Sequence, residues 1–296
     1  MREVFDCVCV GLSTVDVISL LGRPLREDDK LLAEETLVDG GGPAGTAACA
    51  MSRFGLKAAV LSFVGRDLWA PFVREGLERF KVSTRLLVED PRIRTPLSIV
   101  LVNRRNASRT IVWRAAGASG RTLGSRAPQR TAALSARCLH FDGHLMGLSV
   151  ALAREARKKG ILVSYDCGSV RPGWRRLAEL TDVFIASSKF ARQLGLRPAE
   201  AAARLRARFG FRCAVTAGEK GTYWFDEARG RVSLLKQRRY AALDTTGCGD
   251  VFHGAFLAAY LRRPDVEAGL RFAQRVAGLK TLGLGGRASI PARADV

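Results

Sequence analysis

The chain contains the segment Asp244-Thr245-Thr246-Gly247-Cys248-Gly249-Asp250, which runs directly into an apolar stretch with helical spacing, 251–260. A glycine-rich turn that opens a helix forms an anion site, because free backbone N–H groups and the positive end of the helix dipole face the same point. A carboxylate at that point repels an anionic ligand unless it has a task such as accepting a proton. Asp250 is therefore predicted to be either a base or a simple cap of the helix.

Strand-like and helix-like runs alternate through most of the chain. The strand-like runs are 58–64, 138–141, 161–165, 183–185 and 213–216, and the helix-like runs are 44–54, 70–80, 147–159, 198–209, 249–262 and 265–282. Such alternation predicts an α/β fold in which helices cover both faces of a mostly parallel sheet. The whole chain, 1–296, is predicted to be a single domain.

Two regions have a different, strand-rich pattern. The apolar runs 4–10 and 15–21 flank a Ser-Thr turn and are predicted to pair with each other. The runs 97–102 and 110–113 flank a polar turn and predict a hairpin. The strands of a small additional sheet are expected within about 15–38 and 95–114.

The composition is that of a globular protein with a strong positive charge. Apolar residues make up 47% and charged residues 26%, and the formal net charge is +20. The longest apolar runs are too short to span a bilayer, and the N-terminus lacks the pattern of a signal peptide, so a cytoplasmic protein is expected. Arginine is spread in short groups without a basic tail, which favours a basic surface over a nucleic-acid site.

Several segments resemble the signatures of the PfkB (ribokinase-like) carbohydrate kinases. Asp244–Asp250 resembles their C-terminal signature, and Gly40–Ala48 together with Phe63–Asp67 resembles their N-terminal one. The likeness extends to Asp16 and to Val215–Gly221, so it covers essentially the whole chain. The resemblance implies a ribokinase-like α/β sandwich with a small β-sheet lid. It also implies an ATP-dependent kinase that uses Mg²⁺ and phosphorylates a hydroxyl group of a sugar-like molecule.

The resemblance assigns roles to individual residues. It makes Asp250 the catalytic base, beside an anion hole formed by the amides of Gly247, Cys248 and Gly249. The substrate contacts that it implies are Asp16, Gly41, Gly42 and Thr46, although the family usually carries asparagine at the last position. The nucleotide-binding turn that it implies is Thr216, Gly218, Lys220 and Gly221, with a solvated turn residue as the alternative for Lys220. The frame that it implies for a monovalent cation such as K⁺ is Asp244, Thr246 and Ser289.

The chain also departs from the family pattern. Ser187–Phe190 stands where the family has an Asn-x-x-Glu element that organises metal and phosphate, which leaves open how Mg²⁺ is held. Cys248 replaces the usual alanine of the anion-hole loop. A thiol at a helix N-terminus is expected to have a depressed pKa and to be sensitive to oxidation, so redox control of the activity is one alternative.

The acceptor is suggested by finer likenesses. The glycine loop before Ala44 and the ending Gly285–Pro291 look most like the branch that includes sulfofructose kinase, which favours a ketose such as sulfofructose or fructose. Arg105 and His144 are predicted to contact the substrate, with a solvated arginine and an ordinary capping loop as the alternatives. Trp113 could stack on a base, so a nucleoside kinase of the same fold remains open.

A protein without catalysis is the most distant alternative. A nucleotide- or nucleic-acid-binding module on a kinase fold would suit the positive charge, but the retained Asp250 and its glycine loop argue against it. Members of this family often dimerise through the lid, so a homodimer is expected. Neither a membrane partner nor a nucleic acid partner is expected.

Overall fold

The structure is a computed structural model that describes residues 4–118 and 120–296. Residues 1–3 of the predicted domain, and residue 119, lie outside the described residues. Within the described part no helix is both long enough and apolar enough to cross a membrane.

Fourteen strands and nine helices are formed by the described residues. The strands are β1 Cys7–Val10, β2 Thr14–Leu21, β3 Glu35–Gly41, β4 Ala58–Leu61, β5 Phe63–Val64, β6 Val88–Glu89, β7 Leu97–Asn103, β8 Ser108–Arg114, β9 Cys138–Phe141, β10 Leu162–Cys167, β11 Val183–Ser187, β12 Arg212–Thr216, β13 Thr222–Asp226 and β14 Arg231–Leu235. The helices are α1 Pro43–Arg53, α2 Ala70–Glu78, α3 Pro128–Ala133, α4 Met146–Lys158, α5 Trp174–Ala178, α6 Ser188–Gln193, α7 Pro198–Phe209, α8 Cys248–Tyr260 and α9 Val266–Lys280. The helices α3, α5 and α6 were not predicted, because five or six residues are too few to show a helical repeat.

The main sheet has eight strands in the order β14-β13-β12-β11-β10-β9-β1-β4. Neighbours from β12 to β4 are parallel, and β13 and β14 add an antiparallel edge. The prediction of a mostly parallel sheet is confirmed. Since β1, β9, β10, β11 and β12 run in one direction, their carboxyl ends meet at one edge, where α/β proteins place their ligands.

Helices cover both faces of this sheet, as predicted. Val8 and Val10 of β1 belong to the apolar core that β1 shares with α4, α5 and α7. Cys7 and Cys9 point to the opposite face and belong to the core shared with α1, α8 and α9. The alternation along β1 thus separates two apolar layers, one on each side of the sheet.

A second, small sheet has the strand order β3-β2-β7-β8. The predicted hairpin of β7 and β8 is confirmed. The predicted pairing of runs 4–10 and 15–21 is wrong, because β1 pairs with β4 and β9 in the main sheet while β2 pairs with β3 and β7 in the small one. Both edges of β1 are therefore already occupied, and the chain crosses from one sheet to the other at 11–13.

The two faces of the small sheet differ in character. On the inner face Ile18, Leu20, Val100 and Val102 pack with Leu284 in an apolar cluster. On the outer face a row of apolar residues crosses all four strands in register. That row consists of Val38, Val17, Ile99 and Val112. Three of its members are exposed to solvent, and Val17 is half-buried.

The helices α1 and α8 pack closely because glycine stands at their contact. A Cβ atom on Gly254 would lie 2.3 Å from the carbonyl oxygen of Ala47 and 2.6 Å from the Cβ atom of Ala50. The same packing brings the N-termini of the two helices together, so that a Cβ atom on Gly247 would lie 3.5 Å from Cγ2 of Thr46. Both glycine-rich segments therefore meet at one place.

We predict that Gly254→Ala lowers the free energy of unfolding by about 1–3 kcal/mol, because the added methyl group overlaps α1. Gly147→Ala is the matched control, since Gly147 lies in the exposed first turn of α4 with no atom near its missing Cβ position. The control is expected to gain up to ~1 kcal/mol from helix propensity. Urea unfolding of the two variants measures both values, and equal effects would contradict the close packing of α1 and α8.

Candidate active site

The loop before α8 is shaped for a bound anion. Gly247 has φ of +71°, a left-handed conformation that favours glycine, and it precedes the first helical residue, Cys248. The backbone N–H of Cys248 makes only a long 3.4 Å bond to the carbonyl oxygen of Thr245. Gly249 is exposed, and a Cβ atom on it would have no neighbour within 4 Å. The predicted anion-hole residues thus form an open helix N-terminus at the carboxyl edge of the sheet.

Asp250 lies in the first turn of α8 and is half-buried. Burial of its carboxyl group is the main reason why its pKa is raised to about 8. The negative charges of Asp166, Asp142 and Asp16 raise this pKa further, whereas the positive charge of Arg109 lowers it. A carboxyl group that exchanges its proton near neutral pH is suited to act as a general base.

Arg109 connects the small sheet to the α8 loop. Its Nη1 donates to Oγ1 of Thr245 at 2.8 Å, and this hydroxyl donates to the carbonyl oxygen of Ala107 at 3.0 Å. Arg105, the predicted substrate contact, lies instead in the exposed turn of the same hairpin. Strand alternation could have indicated the difference, because Arg109 lies opposite the buried Val102 in the β7–β8 register.

Asp142 joins three parts of the site at the end of β9. Its Oδ2 accepts hydrogen bonds from the backbone N–H groups of Leu12 at 2.7 Å and Ala44 at 3.2 Å. Its Oδ1 accepts from the backbone N–H of His144 and lies 3.3 Å from the Nδ1 of that residue. Burial opposes ionisation of Asp142, but the charge of His144 and these hydrogen bonds outweigh it and lower the pKa. The carboxylate therefore fixes the N-terminus of α1 and the position of His144.

His144 itself lies between the small sheet and the main sheet. Its ring meets the ring of Trp113 edge to face, with centroids 6.3 Å apart. Its Nε2 is 2.8 Å from Nη2 of Arg171, in the loop after β10. His144 and Arg171 thus form a polar pair next to an aromatic side chain of the small sheet. Sequence reasoning missed Arg171, since nothing in its loop indicates that it turns toward His144.

The other predicted substrate contacts cluster at the start of β2 and the end of β3. Asp16 is buried and accepts a 2.7 Å hydrogen bond from Oγ1 of Thr14, and burial raises its pKa. Gly41 has no room for a side chain, because a Cβ atom would lie 2.0 Å from Oδ2 of Asp16. Gly42 has φ of +82°, and Thr46 is buried one turn into α1.

A polar network behind Asp250 was not predicted. Asp166, near the end of β10, has its Oδ1 3.1 Å from Nε2 of His253, which lies one turn after Asp250 in α8. Nδ1 of His140 is 3.1 Å from Oγ of Ser164, and burial together with the charge of His253 lowers the pKa of His140 to about 4. The network fixes Asp166 beside the candidate base. A histidine inside the apolar run of α8 was the one signal for it.

The predicted nucleotide-binding residues lie together in the turn after β12, at the same edge of the sheet. Thr216 donates from Oγ1 to the carbonyl oxygen of Ala186 at 3.3 Å. Only glycine fits at position 221, because a Cβ atom there would lie 2.0 Å from the carbonyl oxygen of Leu235. Gly218 has φ of +58°, and Lys220 is exposed in the short 3-10 turn.

The segment 187–190 has a structural task. Oγ of Ser187 caps α6 by accepting a hydrogen bond from the backbone N–H of Phe190 at 3.2 Å, and it donates to the carbonyl oxygen of Gly168 at 2.8 Å. The phenyl ring of Phe190 is buried against Trp174 and Phe184. These side chains do not suit a metal ion.

Of the residues predicted to frame a monovalent cation, Asp244 and Ser289 have hydrogen-bonded side chains, whereas the buried hydroxyl of Thr246 has no partner among the described residues. Asp244 accepts from the backbone N–H groups of Thr246 at 2.7 Å and Gly285 at 2.9 Å. Oγ of Ser289 donates to the carbonyl oxygen of Gly285 at 2.5 Å. The backbone carbonyl oxygen of Asp244 accepts from Nζ of Lys280 at 3.1 Å. Lys280, which the sequence analysis does not single out, thus contacts one of the residues predicted to frame the cation.

The expected depression of the Cys248 pKa is wrong. Burial of the thiol is the largest effect and raises its pKa, and the positive charges of Lys280 and Arg109 only partly oppose that shift. A buried thiol of raised pKa is a poor nucleophile toward oxidants. The alternative of redox control through Cys248 therefore loses its physical basis.

Comparison with known proteins gives consistent matches over the whole chain. The family model described as pfkB family carbohydrate kinase matches residues 4–293. A deoxyribokinase from Salmonella typhi is 25% identical over 97% of this chain and 95% of its own length. A nucleoside kinase from Methanothermobacter thermautotrophicus is 25% identical over 98% of this chain and 94% of its own. The crystal structure of a ribokinase candidate from Agrobacterium tumefaciens superposes with a TM-score of 0.90 at 26% identity, covering 99% of this chain and 96% of that one.

We predict that Asp250→Asn raises the melting temperature of the ligand-free protein, and that the gain grows as pH increases from about 4 to about 8. The pKa of Asp250 is about 8 in the folded state, against 3.8 for an ordinary aspartate, so the folded state binds more protons in this window and loses stability as pH rises. Asparagine removes that loss. A gain of at least ~2 °C at pH 8 is expected.

Asp265→Asn is the control for this measurement. Asp265 caps α9 by accepting from the backbone N–H of Ala268, and asparagine caps a helix equally well. Its melting temperature should follow that of the wild type at every pH. A gain for Asp250→Asn that does not depend on pH would contradict a raised pKa.

Proposed function

The chain belongs to the pfkB family of carbohydrate kinases, and on this basis we propose that Asp250 is the base of an ATP-dependent phosphoryl transfer to a sugar hydroxyl. The members of this family are ATP-dependent phosphotransferases that act on hydroxyl groups, and the chain is a sugar or nucleoside kinase of the ribokinase type. The observation that supports the proposal most is the half-buried Asp250 with a pKa near 8 in the first turn of α8.

Asp250 would accept the proton of the acceptor hydroxyl as its oxygen attacks the γ-phosphate. The backbone N–H groups of Gly247, Cys248 and Gly249 would stabilise the charge that develops on the transferred phosphoryl group. The helix dipole supports these two roles, because the backbone amides at a helix N-terminus favour a bound anion. A raised pKa keeps part of the Asp250 population protonated, which weakens its repulsion of the phosphate. The two features lie within one turn of each other.

The small sheet would act as the lid of this site. Arg109 already reaches the α8 loop, and Trp113 contacts His144, so the inner face of the sheet lies over the carboxyl edge. Asp16, Gly41, Gly42 and Thr46 would line the acceptor side. A covered site excludes water, which would otherwise compete with the acceptor for ATP.

ATP would lie on the other side of Asp250, along the turn after β12. Thr216, Gly218 and Gly221 form a close turn there, with the exposed Lys220 free to approach a phosphate. Mg²⁺ bound to the phosphates would neutralise developing negative charge. Among the carboxylates at this edge, Asp166 would suit the ion, because it offers hard oxygen atoms beside Asp250, whereas the segment 187–190 contains no carboxylate.

We favour a ketose that carries an anionic group, such as sulfofructose, over neutral fructose. His144 and Arg171 form a polar pair beside Trp113 of the lid, and a guanidinium group suits a sulfonate or phosphate. The net charge of +20 would draw such a substrate toward the cleft.

Seven free cysteines fit a protein that works in the reducing cytoplasm.

A nucleoside is the second candidate acceptor. Trp113 reaches the inner side of the lid, where an indole ring could stack on a base, and a relative is described as a nucleoside kinase. A nucleoside carries no anion for Arg171 to bind, so the acceptor preference distinguishes the two candidates.

The experiment is ADP release from ATP and Mg²⁺ with a panel of sulfofructose, fructose, ribose, deoxyribose and nucleosides. We expect turnover with one acceptor class, highest for sulfofructose, and a loss of ~100-fold or more in kcat for Asp250→Asn, the usual scale for a general base. Preference for a nucleoside would select the second candidate. Full activity of Asp250→Asn would overturn the role of Asp250, and no acceptor-dependent turnover would argue for a binding role.

We predict that kcat/KM rises with pH with a midpoint near 8 and levels off above it, because only the ionised form of Asp250 accepts a proton and its pKa is about 8. Arg109→Ala should move this midpoint to higher pH, since it removes a positive charge that lowers the pKa. Arg105→Ala is the matched control from the exposed turn of the same hairpin, and its midpoint should stay with the wild type. Equal shifts for the two variants would contradict the placement of Arg109.

We propose that two chains associate through the outer face of the lid, where an apolar row crosses all four strands. Ile99→Lys places a charge in its centre and should convert a dimer to a monomer, measured by light scattering during size-exclusion chromatography. Leu68→Lys is the control, because Leu68 is an exposed apolar residue outside the lid, in the turn before α2. A wild-type monomer, or a dimer that survives Ile99→Lys, would contradict this interface.

A further inference from the structure

Lys280 is the last residue of α9, and its side chain is completely buried. Its Nζ donates to the carbonyl oxygen of Asp244 at 3.1 Å and lies 3.9 Å from Oδ2 of that residue. Lysine is almost never fully buried unless its charge is paired, and here the partner carboxylate is equally buried. This buried pair lies at the base of the loop that leads into α8.

The partner carboxylate holds two loops together. Asp244 accepts from the backbone N–H of Thr246 in the α8 loop and from that of Gly285 in the loop after α9. The second loop reaches the candidate anion hole, since a Cβ atom on Gly247 would lie 3.1 Å from the Cα atom of Gly286. A charge that stabilises Asp244 therefore also sets the position of Gly247.

The charge of Lys280 also acts on the first residue of α8. It is the largest of the effects that oppose the burial-driven rise in the pKa of Cys248. Lys280 thus contributes positive potential where the backbone amides of the loop face an incoming anion.

One oxygen atom of the predicted cation frame has no partner, since the buried hydroxyl of Thr246 makes no hydrogen bond with the described residues. The carbonyl oxygen of Asp244 accepts from Lys280, and the hydroxyl of Ser289 donates to the carbonyl oxygen of Gly285. A second cation next to the buried ammonium group would be repelled, since charges interact strongly away from water. The buried charge of Lys280, and not a lack of oxygen atoms, therefore makes these residues a poor fit for K⁺.

We propose that the ammonium group of Lys280 is a built-in monovalent cation for the anion-hole loop, so that phosphoryl transfer by this chain does not depend on K⁺ or Na⁺. Lys280 is a positioning residue, which acts through Asp244 and does not touch the substrate. The proposal concerns the reaction proposed above for Asp250 and rests on it for the activity measurement. Its effect on the folded protein is independent of that reaction.

The first test uses the wild-type protein in KCl, NaCl, NH₄Cl and choline chloride at matched ionic strength. Choline is too bulky for a small buried site. We expect the melting temperature to be the same in all four salts, and kcat to vary by less than about twofold, since no small cation binds at a saturable site. A specific stabilisation by K⁺, or activation of tenfold or more, would overturn the proposal.

The second test removes the ammonium group in two ways. Lys280→Ala leaves space at the site, so K⁺ or NH₄⁺ should raise its melting temperature by about 3 °C or more over choline and restore most of its lost kcat. Lys280→Met removes the charge but fills the space, so the same ions should restore neither quantity. If K⁺ or NH₄⁺ rescues Lys280→Ala but not Lys280→Met, the lost stability and activity come from the missing cation. If the loss came only from a poorly folded α9, the ions would rescue neither variant.

The possible failures are distinguishable. If no acceptor supports turnover, the phosphoryl-transfer proposal fails, and the melting temperatures still decide whether Lys280 occupies a cation site. If Lys280→Ala does not fold in any salt, the wild-type measurements decide. A stable Lys280→Ala protein that is indifferent to all four salts, or one with wild-type kcat in choline, would contradict the proposal.

Discussion

The close contact between α1 and α8 is the constraint from which the rest of the site follows. Gly254 removes the side chain that would otherwise hold the helices apart, and the small residues of α1 accept the approach. Each helix is preceded by a glycine loop, so the contact places both loops at the carboxyl edge of the sheet. One loop ends next to the buried Asp16, and the other precedes Asp250. Packing in the apolar layer thus determines where the polar chemistry takes place.

Four carboxyl groups lie at the carboxyl edge of the main sheet, where burial without partners would be unfavourable. Burial raises the pKa of Asp250, and the negative charges of Asp166, Asp142 and Asp16 raise it further. Each of the others has a partner that keeps it in place. His253 holds Asp166, backbone amides and His144 hold Asp142, and Thr14 holds Asp16. Asp250 lies in the first turn of the helix, where a protonated state can alternate with an ionised one.

Most of the fold could be read from periodicity, because long strands and helices repeat often enough to be distinguished. The α8 segment and the hairpin are examples. The pairing of the first two strands failed, since adjacency in sequence does not reveal that β1 has parallel partners on both sides. The short helices α5 and α6 were missed because they are stabilised by aromatic packing around Trp174 and Phe190, a tertiary effect.

The site was predictable where glycine and aspartate stand at fixed spacing, as in the loop before α8. Arg171 was not, because its role depends on how its loop turns toward His144, whereas strand alternation could have indicated Arg109. Lys280 did leave a trace, since it continues the buried stripe of α9 that contains Ala273 and Val276. A lysine on the apolar face of a helix indicates a buried charge, and neither the composition nor a motif reveals it.

The claim that Asp250 activates the acceptor is tested most directly by a crystal structure of Asp250→Asn with Mg²⁺, a non-hydrolysable ATP analogue and the acceptor found by the panel. The account predicts that one acceptor hydroxyl lies within about 3.2 Å of the substituted side chain at position 250 and points at the terminal phosphate. That phosphate should contact the backbone amides of Gly247–Gly249. An acceptor whose hydroxyls all lie away from position 250, or a phosphate bound elsewhere, would contradict the account.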